Sequence, residues 1–236
     1  MVSKTRMLDW VKGFEWQEVE GGLDESPELI GFRDDKGRNW LHLCCGVNAV
    51  QTKQKPADSI KTADVLLQIG LGIDEPAFTE GGFFEATPIW YAVSRGRNLA
   101  LAKHLLMRGA NPNNCLWAAG FHDDVEAIRV LVRGGAEVDQ RGPETPFLGA
   151  IKWSHFDAAA ELLRHGADVN WQDAAKMTAL HYMLKKGSDR KHIEMLIAHG
   201  ARGDIKNKDG VTAAQIMLKK RDPNYRKMVT MLAMVR

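Results

Sequence analysis

The chain has 236 residues, 44% hydrophobic and 26% charged, with a net charge of +2. That suits one large globular domain or two small ones, and it excludes a disordered or fibrous chain. No apolar run approaches the roughly 18 residues a membrane-spanning helix needs. The opening MVSKTRMLDW offers no apolar stretch for a secretory leader, so a cytoplasmic setting without a membrane partner is expected.

Charge and cysteines sharpen this. Residues 1–30 carry three Lys/Arg against seven Asp/Glu, and residues 176–236 carry fourteen against five, so partners at the two ends meet opposite fields. Cys44 and Cys45 are adjacent and Cys115 stands alone, which encodes no disulfide framework.

In chain order, FEWQEVEGGLDESPELIGFRD (14–34) places Trp16, Val19, Leu23 and Leu29 on one apolar side. GRNWLHLCC (37–45) then opens a unit, and similar openings follow at ATPIWYAV (86–93), ETPFLGAI (144–151), MTALHYML (177–184) and GVTAAQIM (210–217). Thr before Pro explains two of them: the hydroxyl caps a helix, and Pro is tolerated at the first helical position. The endings also repeat: LLQIGLGID (66–74), LLMRGANPN (105–113), LVRGGAEVD (131–139), LLRHGADVN (162–170) and LIAHGARGD (196–204). Their glycines, Gly70, Gly109, Gly135, Gly166 and Gly200, lie 39, 26, 31 and 34 residues apart and can take the left-handed conformation that ends a helix.

Openings and endings at this spacing resemble the ankyrin repeat, a unit of about 33 residues with a T-P-L-H-x-A start, two helices and a Gly-Ala close. The resemblance implies an all-α solenoid of stacked helix-turn-helix units with short β-hairpin loops. It lays out 1–236 as a single domain: an N-terminal capping unit at 7–33, repeats at 34–74, 75–113, 114–139, 140–172 and 173–206, and a C-terminal capping unit at 207–236. The repeat at 114–139 lacks most of its hairpin. Two insertions depart from the pattern. VNAVQTKQKPADSIKT (47–62) is roughly ten residues longer than the family turn and reads as an exposed loop. DEPAFTEGGFFEA (74–86) lengthens a hairpin and gives it Phe78, Phe83 and Phe84 around Gly81 and Gly82, to be either packed or displayed.

The chemistry-bearing residues form no catalytic or metal constellation. His42 and His181 share a repeat column with Trp90, Trp117 and Leu148, which marks a packing position. His165 and His199 precede helix-ending glycines. His192 and His199 have no further ligand at zinc spacing. Cys44 and Cys45 sit in an apolar helix stripe, and His122-Asp123-Asp124 falls at a turn. DIKNKDG (204–210) has Lys206 and Lys208 where a calcium loop needs oxygen ligands. No cofactor and no metal are expected, and the chain reads as no enzyme.

The resemblance implies that partners are met by hairpin tips and by the last residues of each first helix, the fingers and concave palm of the fold. The palm positions are Gly46-Val47, Ser94-Arg95, Phe121-His122, Lys152-Trp153, Lys185-Lys186 and Lys219-Lys220, a stripe without Asp or Glu. The partner-facing candidates are Arg38, Phe83 and Phe84 on the hairpins, with Arg95, Phe121, His122, Lys152, Trp153, Lys185 and Lys186 on the stripe. This predicts a protein-interaction module, an adaptor or inhibitor, whose partner is another protein presenting an acidic segment with an apolar anchor. The second reading is a nucleotide or single-stranded nucleic acid held by the same basic and aromatic residues.

Overall fold

Several helices in this protein begin where the sequence offers a cap. In the computed structural model, which describes residues 1–78, 84–140 and 144–234 apart from the side chain of residue 234, Ser3 accepts from the Arg6 amide ahead of α1 (Lys4–Gly13). Asn39 does the same for α3 (Trp40–Cys45), where His42 reaches back to the Asn39 amide and completes a capping box. Helices end as regularly. After Gly109 and Gly166, at φ +93° and +89°, the next alanine amide turns back to a carbonyl five residues earlier, Ala110 to Leu105 and Ala167 to Leu162. A left-handed glycine closes the helix and buries the alanine that follows it, which is the physical content of the repeated Gly-Ala.

The chain divides into two compact units, residues 1–118 with 133–136, and residues 119–132 with 137–236. The first contains α1, α2 (Trp16–Glu25), a 3-10 turn at Pro27–Gly31, α3, α4 (Pro56–Gln68), β1 (Ala77–Phe78), β2 (Glu85–Ala86), α5 (Pro88–Ser94) and α6 (Leu99–Met107). First helices α1, α3 and α5 pack in series, and second helices α2, α4 and α6 run beside them. Their shared core holds Met7, Leu23, Trp40, Leu66, Ile89 and Leu105, all essentially buried. Trp40 ties the leading cap to the first repeat: its Nε1–H donates to the Leu29 carbonyl at 2.7 Å, and its ring stacks on Phe32 at 4.0 Å.

The division falls within α7 (Cys115–Phe121) and α8 (Val125–Arg133). The second unit goes on through α9 (Pro146–Trp153), α10 (Phe156–Arg164), α11 (Ala179–Lys186), α12 (Arg190–Ala198), α13 (Ala213–Leu218) and α14 (Asn224–Met234). Here α9, α11 and α13 pack in series, and α12 meets α14. Thr145 caps α9, while Thr178 with His181 and Thr212 with Gln215 form capping boxes at α11 and α13.

Three hairpin turns share one device. The side-chain oxygens of Asp34, Asp173 and Asn207 each accept two amides of their own turn, from Lys36 and Arg38, from Ala175 and Met177, and from Asp209 and Val211. Such side-chain-to-backbone bonding is why Asx residues start turns. The long hairpin pairs Ala77 with Ala86 and Phe78 with Glu85, and the Phe78 amide donates to the Lys36 carbonyl of the preceding turn.

The structure corrects two expectations. The segment 47–62 is a loop only to Lys55. Pro56 starts α4, and Ser59 and Thr62 are fully buried, because PADSIKTADVLLQ is a helix with Pro at its first position and an inward face. The first helix starts at Lys4, where Ser3 supplies a cap that the apolar pattern alone does not mark. The repeat column of His42 and His181 is not uniformly buried either. Both histidines have no exposed surface, whereas Trp117 is 40% exposed.

Candidate functional site

Within the second unit, α7 and α9 end close together. The His155 ring Nδ1 lies 3.0 Å from the Gly120 carbonyl, and Asp123 accepts from the Ala158 amide at 2.8 Å. These bonds fix the turn after α7 against the start of α10. A side chain at Gly120 would press on the Pro146 carbonyl, 3.3 Å from the added carbon, so glycine lets the helix ends approach. Ser154, in a left-handed conformation at φ 66°, closes α9 and leaves Trp153 pointing outward. Ile151, two residues earlier, is buried.

The approach brings Phe121 and Trp153 into an edge-to-face pair, centroids 5.2 Å apart at 83°, with His122 edge-on to Phe121 at the same separation. Phe121 is 36% exposed and Trp153 56%. An aromatic pair that remains this accessible is an exposed apolar surface with fixed geometry.

Lys152 differs from its neighbour. Its ammonium lies 2.6 Å from Glu144 and 3.2 Å from Asp173, and 4.6 Å from the centre of the Tyr182 ring. Burial works against the charge, but the hydrogen bonds that the ammonium donates to Glu144, Asp173 and Tyr182 outweigh it and raise the lysine above its ordinary range. Lys186 in turn donates to the Lys152 carbonyl and, at 3.2 Å, to the Ser154 hydroxyl. The palm positions have no acidic member, yet the fold lays two carboxylates on Lys152. Lys152 is therefore committed to carboxylates within the fold, while Lys185 and Lys186 are exposed.

The remaining candidates lie in the first unit. Arg38 pairs with Asp34 at 2.7 Å and sits 6.0 Å from the Tyr91 ring centre. Arg95 caps the end of α5 and is exposed. Phe84 packs toward Trp90, centroids 5.6 Å apart, and Phe78 is 50% exposed. Phe83 lies outside the described residues.

His42 and His181 hold structure together. Nε2 of His42 lies 2.8 Å from the Glu75 carbonyl, and that of His181 lies 3.2 Å from the Val211 carbonyl, so each ties a first helix to the hairpin that follows. Burial lowers both imidazoles, that of His42 to about 4. Cys44 and Cys115 are buried and pushed up to about 12, and Cys45 is pushed well above its usual value. Among the described residues no cluster of His, Cys, Asp or Glu could hold a metal, and no helix is long and apolar enough to cross a membrane.

The family model for ankyrin repeats matches residues 89–173 and 148–235, more than half of the chain. Inversin of Gallus gallus is 28% identical over 127 residues, a match that takes in 52% of this chain and 11% of inversin. The chain thus spans about a tenth of the length of that relative. Among solved structures, the human ASB11 ankyrin repeat domain superposes with a TM-score of 0.71 at 19% identity, over 97% of this chain and 98% of that one. The ankyrin repeat domain of Bcl-3, a member of the IkappaB family, gives 0.71 at 19% identity over 99% and 100%. At such identity the likeness is one of fold.

Proposed function

Because the chain belongs to the ankyrin-repeat family, a non-enzymatic fold whose repeats are general protein–protein interaction modules, we propose that it is an adaptor or inhibitor that binds an acidic protein segment through an apolar anchor. The exposed Phe121–Trp153 pair is the observation that carries this reading. Large aromatics held rigid at a surface are the residue type most often found at binding hot spots, since little side-chain entropy is lost when they are covered. Lys185 and Lys186 beside the pair supply the attraction that draws in an acidic segment, and His122 borders it.

Commitment of Lys152 to Glu144 and Asp173 counts against the second reading, a nucleotide or single-stranded nucleic acid stacked on Trp153. It engages the ammonium of the residue next to Trp153 in the sequence, which would otherwise be open to a phosphate. The test is capture of partner proteins from a lysate of the source cells on wild-type protein and on the Phe121→Ala/Trp153→Ala variant. The proposal requires that the variant lose what the wild type retains.

A further inference from the structure

The turn from α13 into α14 carries a charge that packing does not explain. Residues 219–227 hold Lys219, Lys220, Arg221, Arg226 and Lys227 against one carboxylate, that of Asp222. Lys219, Arg221, Arg226 and Lys227 are exposed, and Lys220 is half-buried. Asp222 is committed to the start of α14, where its Oδ1 accepts from the Asn224 amide at 2.9 Å and from the Asn224 side chain at 2.8 Å. Among the described residues, none of the five cationic side chains is engaged by an ion pair, a hydrogen bond or an aromatic ring.

Two of these cations have a local reason. Lys219 and Lys220 follow the end of α13, where the helix dipole favours positive charge. Arg226 and Lys227 have none. They stand at the start of α14, where the dipole favours acids, and no Asp or Glu occurs between Asn224 and Met234 to offset them. Their placement works against the helix that carries them.

The same corner displays apolar side chains. Leu218, the last residue of α13, is 54% exposed, and Met231 is 44% exposed. Met231 follows Lys227 by one helical turn, so the two share a face of α14, whereas Met228 and Leu232 turn inward and are buried.

Unpaired cations beside displayed apolar side chains select the partner. An anionic lipid surface takes Lys and Arg at its headgroups and apolar side chains just below them, and attachment is stable when both signals are present. Nucleic acid held without sequence readout needs stacked bases as well as phosphate contacts. Among residues 205–233 no aromatic side chain is exposed, Tyr225 being half-buried. The expectation of no membrane partner rests on the lack of a spanning segment, which contact along the surface does not need.

We propose that the α13–α14 corner is a peripheral binding surface for membranes rich in anionic lipid, with Arg221, Arg226 and Lys227 at the headgroups and Leu218 and Met231 below them. This goes beyond the reading of the chain as an interaction module, shares no residue with the Phe121–Trp153 pair or with Lys185 and Lys186, and brings that module to a membrane.

The test floats the full chain with vesicles of phosphatidylcholine, either alone or with about 30% phosphatidylserine, at low and high salt. The protein should float with the anionic vesicles at low salt, less at high salt, and not with phosphatidylcholine alone. Each Lys or Arg near an anionic leaflet strengthens binding about fivefold, so Arg226→Gln/Lys227→Gln should weaken it about tenfold or more. Its melting temperature should equal or exceed that of wild type, because the conflict with the helix dipole is removed. Leu218→Gln/Met231→Gln should weaken binding about threefold or more with every charge kept. Lys206→Gln/Lys208→Gln removes the same charge from the exposed turn that precedes α13 and should stay within about threefold of wild type. Phe121→Ala/Trp153→Ala should bind vesicles like wild type, so failure of this surface and failure of the aromatic pair are read separately. No flotation with anionic vesicles, equal flotation with phosphatidylcholine alone, or equal losses in the two charge-matched variants would overturn the proposal. So would tighter binding of single-stranded DNA than of the anionic vesicles, which would give the corner to nucleic acid.

Discussion

The rings of Phe121 and Trp153 meet edge to face at 5.2 Å, one at the end of α7 and the other at the end of α9. Both are accessible, so neither fills the core. Such pairs contribute about 0.5–1.5 kcal/mol beyond area burial. Phe121→Ala and Trp153→Ala should each lower the melting temperature by only a few degrees. As a contrast, Ile151→Ala, two residues earlier on the same helix and buried, should cost about 2–5 kcal/mol. Thermal denaturation of the three variants checks the ranking, and a large loss for Trp153→Ala would make that ring a core residue.

Adjacent lysines should behave oppositely. Lys152→Met strands Glu144 and Asp173 without their cation, and a cost of about 1–3 kcal/mol is expected, with partner capture little changed in the folded protein. Lys185→Glu/Lys186→Glu should leave stability within about 1 kcal/mol, because both side chains are exposed. It should, however, slow association with an acidic partner and flatten the salt dependence of that rate. Denaturant melts beside stopped-flow association separate the two.

His42 sets a pH dependence with a definite sign. Its folded value of about 4 lies below the ordinary 6.5, so the unfolded chain takes up the proton first. The stability from the neutral, buried ring is complete above pH 6.5 and is lost as pH falls toward 4, and His181 acts in the same direction. His42→Gln keeps a residue that can complete a capping box, as Gln215 does with Thr212. Its stability between pH 6.5 and 4 should fall less steeply than wild type, measured by urea unfolding across that range. A wild-type profile that is flat there would contradict the assignment.

Two glycines separate close approach from backbone conformation. Gly109 has φ +93° with nothing among the described residues within 4 Å of an added carbon, so Gly109→Ala should cost about 1 kcal/mol through backbone strain alone. Gly96→Ala drives a methyl into the Cys45 carbonyl and should cost more, about 1–3 kcal/mol, while also shifting Arg95. Chemical denaturation gives the order, and equal costs would show that α5 does not need the approach to α3.

Most of the fold was legible because each repeat states the same rules again. The Gly-Ala endings, the capping Thr residues and the apolar stripes agree at one period, and the outward position of Trp153 follows from the buried Ile151 two residues earlier. The parts that were not legible depend on residues distant in sequence. Nothing near Lys152 announces that Asp173 will neutralise it, and no local pattern puts Lys12 and Arg95 around one recess. Two signals were readable and went unused: the Asp or Asn that opens the turns at 34, 173 and 207, and the Pro56 that starts a helix inside a polar insertion.

The most direct measurement is quantitative capture on wild-type protein and on Phe121→Ala/Trp153→Ala at low and high salt, with the melting temperature of each protein recorded alongside. The account predicts partners that bind the wild type, weaken as salt rises, and bind the double variant about thirtyfold less or worse, although the variant melts within a few degrees of wild type. Equal capture of the same partners by both proteins, with both folded, would contradict it.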